Sequence, residues 1–304
     1  MIASGYQAFR EGAALLTLSG RGHIVVTGED RARLLHAMST NHVEQLQPGQ
    51  STYTFFLNAQ GRILADAYVI CTQGALLLDS EPETRQFLYN HLDHYIIADD
   101  AVLEDRTEQT AVFGLEGPDA DNILARSGLN DVLAAGISAS GVPGLRLFAP
   151  AEAGKRVQSQ LLASGAIAVS AAELDIVRLE HGKPRYGIDI TADQIPQETQ
   201  QMHAIHFTKG CYLGQEIVER VRSRGKVKWK LVSLTAATTD PVPPQTKLLL
   251  DGKEVGEITS SAYSPAQGYV VALGYVRTEH IRPDARFAAG GIAISLGSPH
   301  QSFA

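Results

Sequence analysis

The chain has 304 residues, 44% of them hydrophobic and 19% charged, with a formal net charge of −7. Such a make-up describes a globular protein with room for two or three domains. The acidic balance argues against a nucleic-acid-binding protein, and two cysteines, Cys71 and Cys211, are too few for a disulfide framework.

The first residues hold neither a basic n-region nor an apolar h-region, and no apolar run is long enough to cross a bilayer. A cytoplasmic monomer without a membrane partner is the expectation. In chain order, His23–Thr27 reads as a strand, and Gly28-Glu29-Asp30 opens a helix with Leu34, Leu35 and Met38 on one face. Tyr53–Leu57 and Ile63–Cys71 read as strands joined by the turn Asn58-Ala59-Gln60-Gly61, and Leu76–Asp79 extends the same sheet. Ser80 and Glu83 have capping-box spacing for a helix reaching about His94. Ala111–Leu115 is strand-like, and Gly117-Pro118-Asp119 leads into Ile123 and Leu124 on a helix. This repeats the earlier Gly28-Glu29-Asp30 pattern, either as an internal repeat or as chance recurrence of a common cap. Ser170 and Glu173 form a second capping box, ahead of Leu174, Val177 and Arg178. After Val227 the texture changes. Prolines 241, 243 and 244 interrupt the chain, Leu248–Leu250 and Val255–Ile258 flank an Asp251-Gly252 hairpin turn, and Tyr269–Val276 is a strand. The fold class is therefore α+β with mainly antiparallel pairing, followed by a small all-β domain, barrel or sandwich.

No P-loop, dinucleotide fingerprint or nucleophile elbow occurs. His91/His94 and His203/His206 have no partners at a zinc spacing, and no metal is assigned. The run Lys209-Gly210-Cys211-Tyr212-Leu213-Gly214-Gln215-Glu216 stands apart. It places a cysteine between glycines, two residues after a lysine and just ahead of a helical segment. Lys209 and the helix N-terminus favour thiolate, so Cys211 is a candidate reactive group; the competing reading is a small buried hydrophobe. Arg220, Arg222, Arg224, Lys226, Lys228 and Lys230 alternate along what reads as the solvated face of a strand or extended linker. If functional, that face suits a polyanion such as a polyglutamate tail or an RNA backbone, although direct nucleic-acid binding does not fit the whole chain.

The Lys209–Glu216 run resembles the signature of the YgfZ-type folate-binding proteins, within the superfamily of the glycine-cleavage T-protein, the aminomethyltransferase. Two further blocks carry the resemblance: Tyr53–Asp66, similar to the block that lines the T-protein folate pocket, and Arg178–Glu198, from Arg178-Leu179-Glu180-His181-Gly182 through Tyr186-Gly187-Ile188-Asp189 to Ile195-Pro196-Gln197-Glu198. The resemblance implies two interleaved α+β domains and a barrel around a central folate cavity. Its boundaries are 1–50 with 106–222 for one domain, 51–105 for the second and 223–304 for the barrel. It implies tetrahydrofolate or a one-carbon derivative as cofactor, with Tyr53, Phe55, Asn58, Asp66, Arg178, Glu198 and Tyr212 as binding residues. Asp66 would face the reactive folate nitrogens, and Arg178 would hold the folate carboxylate through its bidentate fork. Cys211, Asp66 and Lys209 would be the catalytic group, with the thiol at the pocket mouth. The implied role is an accessory one in assembly or repair of iron–sulfur enzymes, including a tRNA methylthiolating enzyme, with those enzymes or their assembly factors as partners. The alternative is a folate-dependent aminomethyl- or methyltransferase. Ala65 stands where T-proteins carry the first of two aspartates, and Ser140–Gly144 lacks their pterin-gripping acid.

Overall fold

In the computed structural model, which describes residues 4–297, the chain builds one strand–turn–helix unit twice before it closes a barrel. After α1 (Ser4–Glu11) and β1 (Ala14–Thr17), β2 (Gly22–Thr27) enters a five-stranded antiparallel sheet with β3 (Ser51–Leu57), β4 (Ile63–Cys71), β5 (Leu76–Ser80) and β6 (Val102–Asp105), in the order β3-β4-β5-β2-β6. Residues alternate between its faces. Ile24, Val26, Phe56, Ala65, Val69 and Leu78 pack under α2 (Arg31–Met38) and α3 (Arg85–Tyr95). The second sheet recruits β1 back. β7 (Thr110–Glu116), β8 (Leu133–Ala135), β9 (Gly144–Pro150) and β10 (Ile167–Ala168) join it in the order β10-β1-β7-β9-β8, covered by α4 (Ala120–Ser127) and α5 (Gly154–Ala163). The inner faces of the two sheets meet through Val25, Ile70 and Leu77 against Val112, Ala135, Ile137 and Phe148.

The repeated sequence pattern is a repeated piece of structure. Gly28 ends β2 and Gly117 follows β7, at φ +97° and +131°. A Cβ on Gly28 would lie 2.1 Å from Asp100 O, and one on Gly117 would lie 2.5 Å from Gly12 O. Both turns let the following aspartate N–H reach a neighbouring carbonyl, Asp30 to Asp100 O at 3.0 Å and Asp119 to Gly12 O at 2.9 Å. Only glycine combines that φ with so close a backbone approach.

The pairing redraws the expected domain boundary. β2 and α2 belong with β3–β6, so a cut at 50/51 would split one sheet and its covering helix. Only β1 of the early strands belongs with the strands after residue 106, because its hydrogen bonds go to β7 and β10. The Ser80/Glu83 capping box does not form either. Ser80 is the last residue of β5, a short 3₁₀ turn intervenes at Pro82–Thr84, and α3 starts from Thr84. The Ser170/Glu173 box does form, and opens α6 (Ala171–Glu180).

α7 (Gln215–Arg224) precedes the closed barrel, whose strands β11 (Trp229–Ala236), β12 (Lys247–Leu250), β13 (Lys253–Ser264), β14 (Tyr269–Arg277), β15 (Arg286–Ala289) and β16 (Ile292–Leu296) run β11-β14-β13-β12-β15-β16. Two buried carboxylates fasten the barrel to α6 and its surroundings. Glu180 accepts from Tyr6 (2.5 Å), Arg10 (2.6 Å) and Ser264 (2.5 Å). Asp189 accepts from Arg178 (2.7 Å), Thr259 (2.5 Å) and Ser260 (2.5 Å). Buried charges need this density of donors to offset their lost hydration. Among the described residues, no helix is long and apolar enough to cross a membrane.

Candidate functional site

A cavity of about 360 Å³ opens where the inner faces of the two sheets part. Register decides which side chains reach it. Tyr53 pairs with Tyr68, Phe55 with Asp66, and Tyr68 with Asp79, so all five share one face of their sheet, and Tyr53, Asp66, Tyr68 and Asp79 line the cavity. Leu16 and Arg146 enter from the second sheet, and Leu174, Asp175 and Arg178 from α6. The Lys183–Tyr186 segment and His203 complete the wall.

At its centre the Tyr53 hydroxyl donates to Asp66 Oδ2 at 2.6 Å. The Tyr53 ring lies 5.0 Å from Tyr68 and stacks on His203 at 5.5 Å. Burial, with the Glu81 charge nearby, raises the Asp66 carboxyl to about 6, while the Tyr53 hydrogen bond pulls in the other direction. Burial and the Asp66 charge hold the Tyr53 phenol well above its ordinary value, so it remains a donor.

Most of the cavity's charges neutralise one another. Asp79 accepts from Arg21 (2.6 Å) and Arg146 (2.5 Å), joining the two sheets through side chains that are almost wholly buried. Glu81 accepts from Arg21 (2.5 Å) and Arg185 (3.0 Å). Arg178 is committed as well: Nε to Asp175 (2.6 Å), and one terminal nitrogen to Asp189 (2.7 Å) and Lys183 O (3.2 Å). Among the described residues, neither Asp66 nor Lys183 has an opposite charge within ion-pair distance. Lys183 Nζ instead donates to the Tyr68 hydroxyl at 3.0 Å.

Of the residues singled out from the sequence, Tyr53, Asp66 and Arg178 line the cavity together. The others do not. Phe55 is fully buried in a separate core with Tyr186, Ile190, Tyr212 and Val218. The Asn58 side chain accepts from Gln60 N and Arg62 N and so holds its own turn. Glu198 caps Ile195 N, and burial raises its carboxyl. Cys211 is exposed but is not part of the cavity wall, which corrects the expected thiol at the pocket mouth.

The cysteine run is first of all a fastening. Lys209 Nζ donates to three carbonyls at the end of α2, His36 O (2.5 Å), Ser39 O (2.6 Å) and Asn41 O (2.7 Å), and sits 5.0 Å from the Tyr212 ring. Burial lowers its ammonium to about 7, and the Glu44 charge pulls against that shift. Gly214 (φ +83°) lets the run cross the β3–β4 turn so closely that a Cβ there would lie 2.6 Å from Asn58 O. Thus the Lys209 ammonium is committed to the backbone of another segment. Next to the run, the rings of His36, His42 and His206 form a row with centroids 4.5 and 5.1 Å apart. Among the described residues, no three His, Cys, Asp or Glu side chains are grouped to hold a metal ion. The basic alternation does not lie on one extended strand. Arg220 and Arg222 are in α7, Gly225 ends that helix, and Arg222 packs on the Phe207 ring at 4.7 Å.

Sequence reasoning missed Tyr68, Asp79, Lys183 and His203. Period two from Asp66 places Tyr68 on the same face, which was a readable signal. Lys183 comes from an irregular segment and His203 from a three-residue 3₁₀ turn, too short for any periodicity to point inward.

Comparison with known proteins gives two family matches: the GCVT N-terminal domain over residues 1–135 and the glycine cleavage T-protein C-terminal barrel domain over residues 230–291. An Arabidopsis thaliana protein named as a candidate chloroplastic transferase is 29% identical over 90% of this chain and 67% of its own length. An aminomethyltransferase of a Nostoc species is 27% identical over 90% of this chain and 80% of its own. The crystal structure of the glycine cleavage aminomethyltransferase T from Bartonella henselae superposes with a TM-score of 0.90 at 23% identity, covering 97% of this chain and 87% of that one.

Proposed function

We propose that this chain, which belongs to the glycine-cleavage T-protein family, binds tetrahydrofolate or a one-carbon derivative in the cavity between its two sheets. Tetrahydrofolate is the cofactor of that family, and the walls suit such a molecule. Leu16, Leu18, Val169 and Leu174 offer an apolar slot, Tyr53 and His203 flat faces, Asp66 a carboxyl and Lys183 a cation, within a volume in the usual ligand-site range. The observation that carries the reading is the Tyr53–Asp66 pair, the one carboxyl of the cavity wall whose charge is left unpaired by the arginines.

When bound, tetrahydrofolate supplies nitrogens that carry a one-carbon unit. The chain's own part is to hold and move a proton. A carboxyl near 6 exchanges its proton readily around neutrality, and Tyr53 fixes its orientation by donating to Oδ2. The paired arginines lock the surrounding wall, so these groups need no reorganisation.

In the cell we assign the protein an accessory role in assembly or repair of iron–sulfur enzymes. Its support is the Lys209–Glu216 run, together with an exposed Cys211 on a loop held rigidly by Lys209 and Gly214. A thiol presented this way meets a protein partner from outside, independently of the cavity. The reading as a folate-dependent aminomethyl- or methyltransferase is favoured by Asp66 and by the names of the relatives.

The test combines two measurements. Anaerobic calorimetric titration with tetrahydrofolate should show binding by the wild-type protein and at least about tenfold weaker binding by Asp66→Ala. In a strain lacking the protein, Cys211→Ala and Asp66→Ala should each fail to restore iron–sulfur enzyme activity. Full rescue by both removes the accessory mechanism. Formation of methylenetetrahydrofolate from an aminomethylated lipoyl carrier establishes the transferase reading instead.

A further inference from the structure

The structure assigns to Lys183, rather than Arg178, the holding of a ligand carboxylate in the cavity; this rests on the folate reading above. Five cationic side chains line the cavity: Arg21, Arg146, Arg178, Lys183 and Arg185. Arg21 and Arg146 share Asp79, Arg21 and Arg185 share Glu81, and Arg178 bridges Asp175 and Asp189. Arg21, Arg178 and Arg185 each hold two carboxylates, and Arg146, almost wholly buried, holds Asp79, so each must loosen a carboxylate partner before its paired nitrogens can take a ligand anion, and breaking such a pair is costly. Lys183 carries no such cost. Among the described residues, its Nζ hydrogen-bonds to the Tyr68 hydroxyl at 3.0 Å and to no carboxylate, and it lies 5.7 Å from that ring's centroid.

Its placement also suits a ligand. Lys183 follows α6 in the His181–Arg185 segment and is half-buried. Tyr68 anchors its head beside Tyr53, which leaves two ammonium protons free. A cation on a tyrosine platform, one ring away from the Asp66 carboxyl, forms a polarised slot: proton exchange at one end, anion binding at the other. The anion is a carboxylate from one of two sources, the glutamyl tail of the folate itself or a separate small carboxylate bound next to it.

Lys183→Met and Lys183→Arg separate these cases. If the tail is the source, Lys183→Met weakens tetrahydrofolate binding about tenfold or more but leaves tetrahydropteroate, which lacks the glutamate, unchanged, and Lys183→Arg keeps most of the affinity. If a separate anion is the source, tetrahydrofolate binding is unchanged, and Lys183→Met abolishes the acetate-induced NMR shift of labelled Tyr68 in folate-loaded protein. Unchanged behaviour in both arms overturns the assignment. Absence of tetrahydrofolate binding by the wild-type protein defeats the folate reading instead, and acetate titration of the free protein then tests Lys183 alone. Circular dichroism guards against a folding defect, which the half-exposed side chain makes a small risk.

Discussion

Replacing Asp66 by asparagine removes a charge that the cavity wall buries without a cation. Burial, then the Glu81 charge, lift the carboxyl from 3.8 to about 6, while the Tyr53 hydroxyl and Arg21 act against them. The folded-state value lies above the unfolded one, so between these two pH values the folded state binds the extra proton. The stability this group contributes is complete below about pH 4 and is lost as pH rises through about 6. A shift of about two units corresponds to about 3 kcal/mol. Asparagine still accepts from Tyr53, but less strongly than a carboxylate, which returns about 1 kcal/mol. At about pH 8 the variant should therefore be more stable than wild type by about 2 kcal/mol, and at about pH 4, where the linkage difference of about 3 kcal/mol is gone, it should be less stable by about 1 kcal/mol. With an unfolding entropy of about 2.1 cal/mol/K per residue, the Tm gain near pH 8 is about 3 °C. Scanning calorimetry across this pH range measures it, and the same protein should bind tetrahydrofolate at least about tenfold more weakly. A variant less stable than wild type at about pH 8, or a difference that does not change with pH, refutes the reasoning.

Arg146→Met leaves Asp79 buried with one cation instead of two and should cost about 3 kcal/mol, read as a lower urea midpoint; a change below about 0.5 kcal/mol would show that the pair joining the sheets is dispensable. Gly117→Ala forces a Cβ to within 2.5 Å of Gly12 O at φ +131° and should destabilise by at least about 2 kcal/mol, whereas an unchanged Tm would contradict the close approach. Lys209→Met removes the donor to three carbonyls, and hydrogen exchange should speed up at the end of α2 and through residues 209–214 while the barrel remains protected. Cys211 should react with iodoacetamide at least about tenfold faster than the partly buried Cys71, and equal rates would remove the exposed-thiol premise.

Much of the architecture was readable along the chain, because its signals are local. Short, largely apolar runs at His23–Thr27 and Tyr53–Leu57 mark strands, Asp251-Gly252 adopts positive φ at both residues between β12 and β13, and Ser170/Glu173 caps α6. The two glycine–aspartate turns revealed the repeat, since each needs the same backbone geometry. Tyr53 and Asp66 follow from period two on a single hairpin, so their meeting required no knowledge of distant contacts. Lys209 lies two residues before Cys211, and only the fold showed that its ammonium donates to three carbonyls of another segment.

What the amino-acid order determined by itself was therefore many of the strands and helices, the α6 cap, the glycine turns, and a hairpin that carries Tyr53 and Asp66 on partner strands. Only the tertiary structure decided that β2 belongs with β3–β6, that Phe55 is in a core while Tyr53 faces a cavity, and that Arg178 is occupied while Lys183 is not. The reason is range. Propensity, alternation and capping act over a few residues, but a charge is free or paired according to what other segments bring to it. Asp189 reaches Arg178 across 11 residues, and Asp79 reaches Arg146 across 67. No pattern within a strand or helix encodes that encounter.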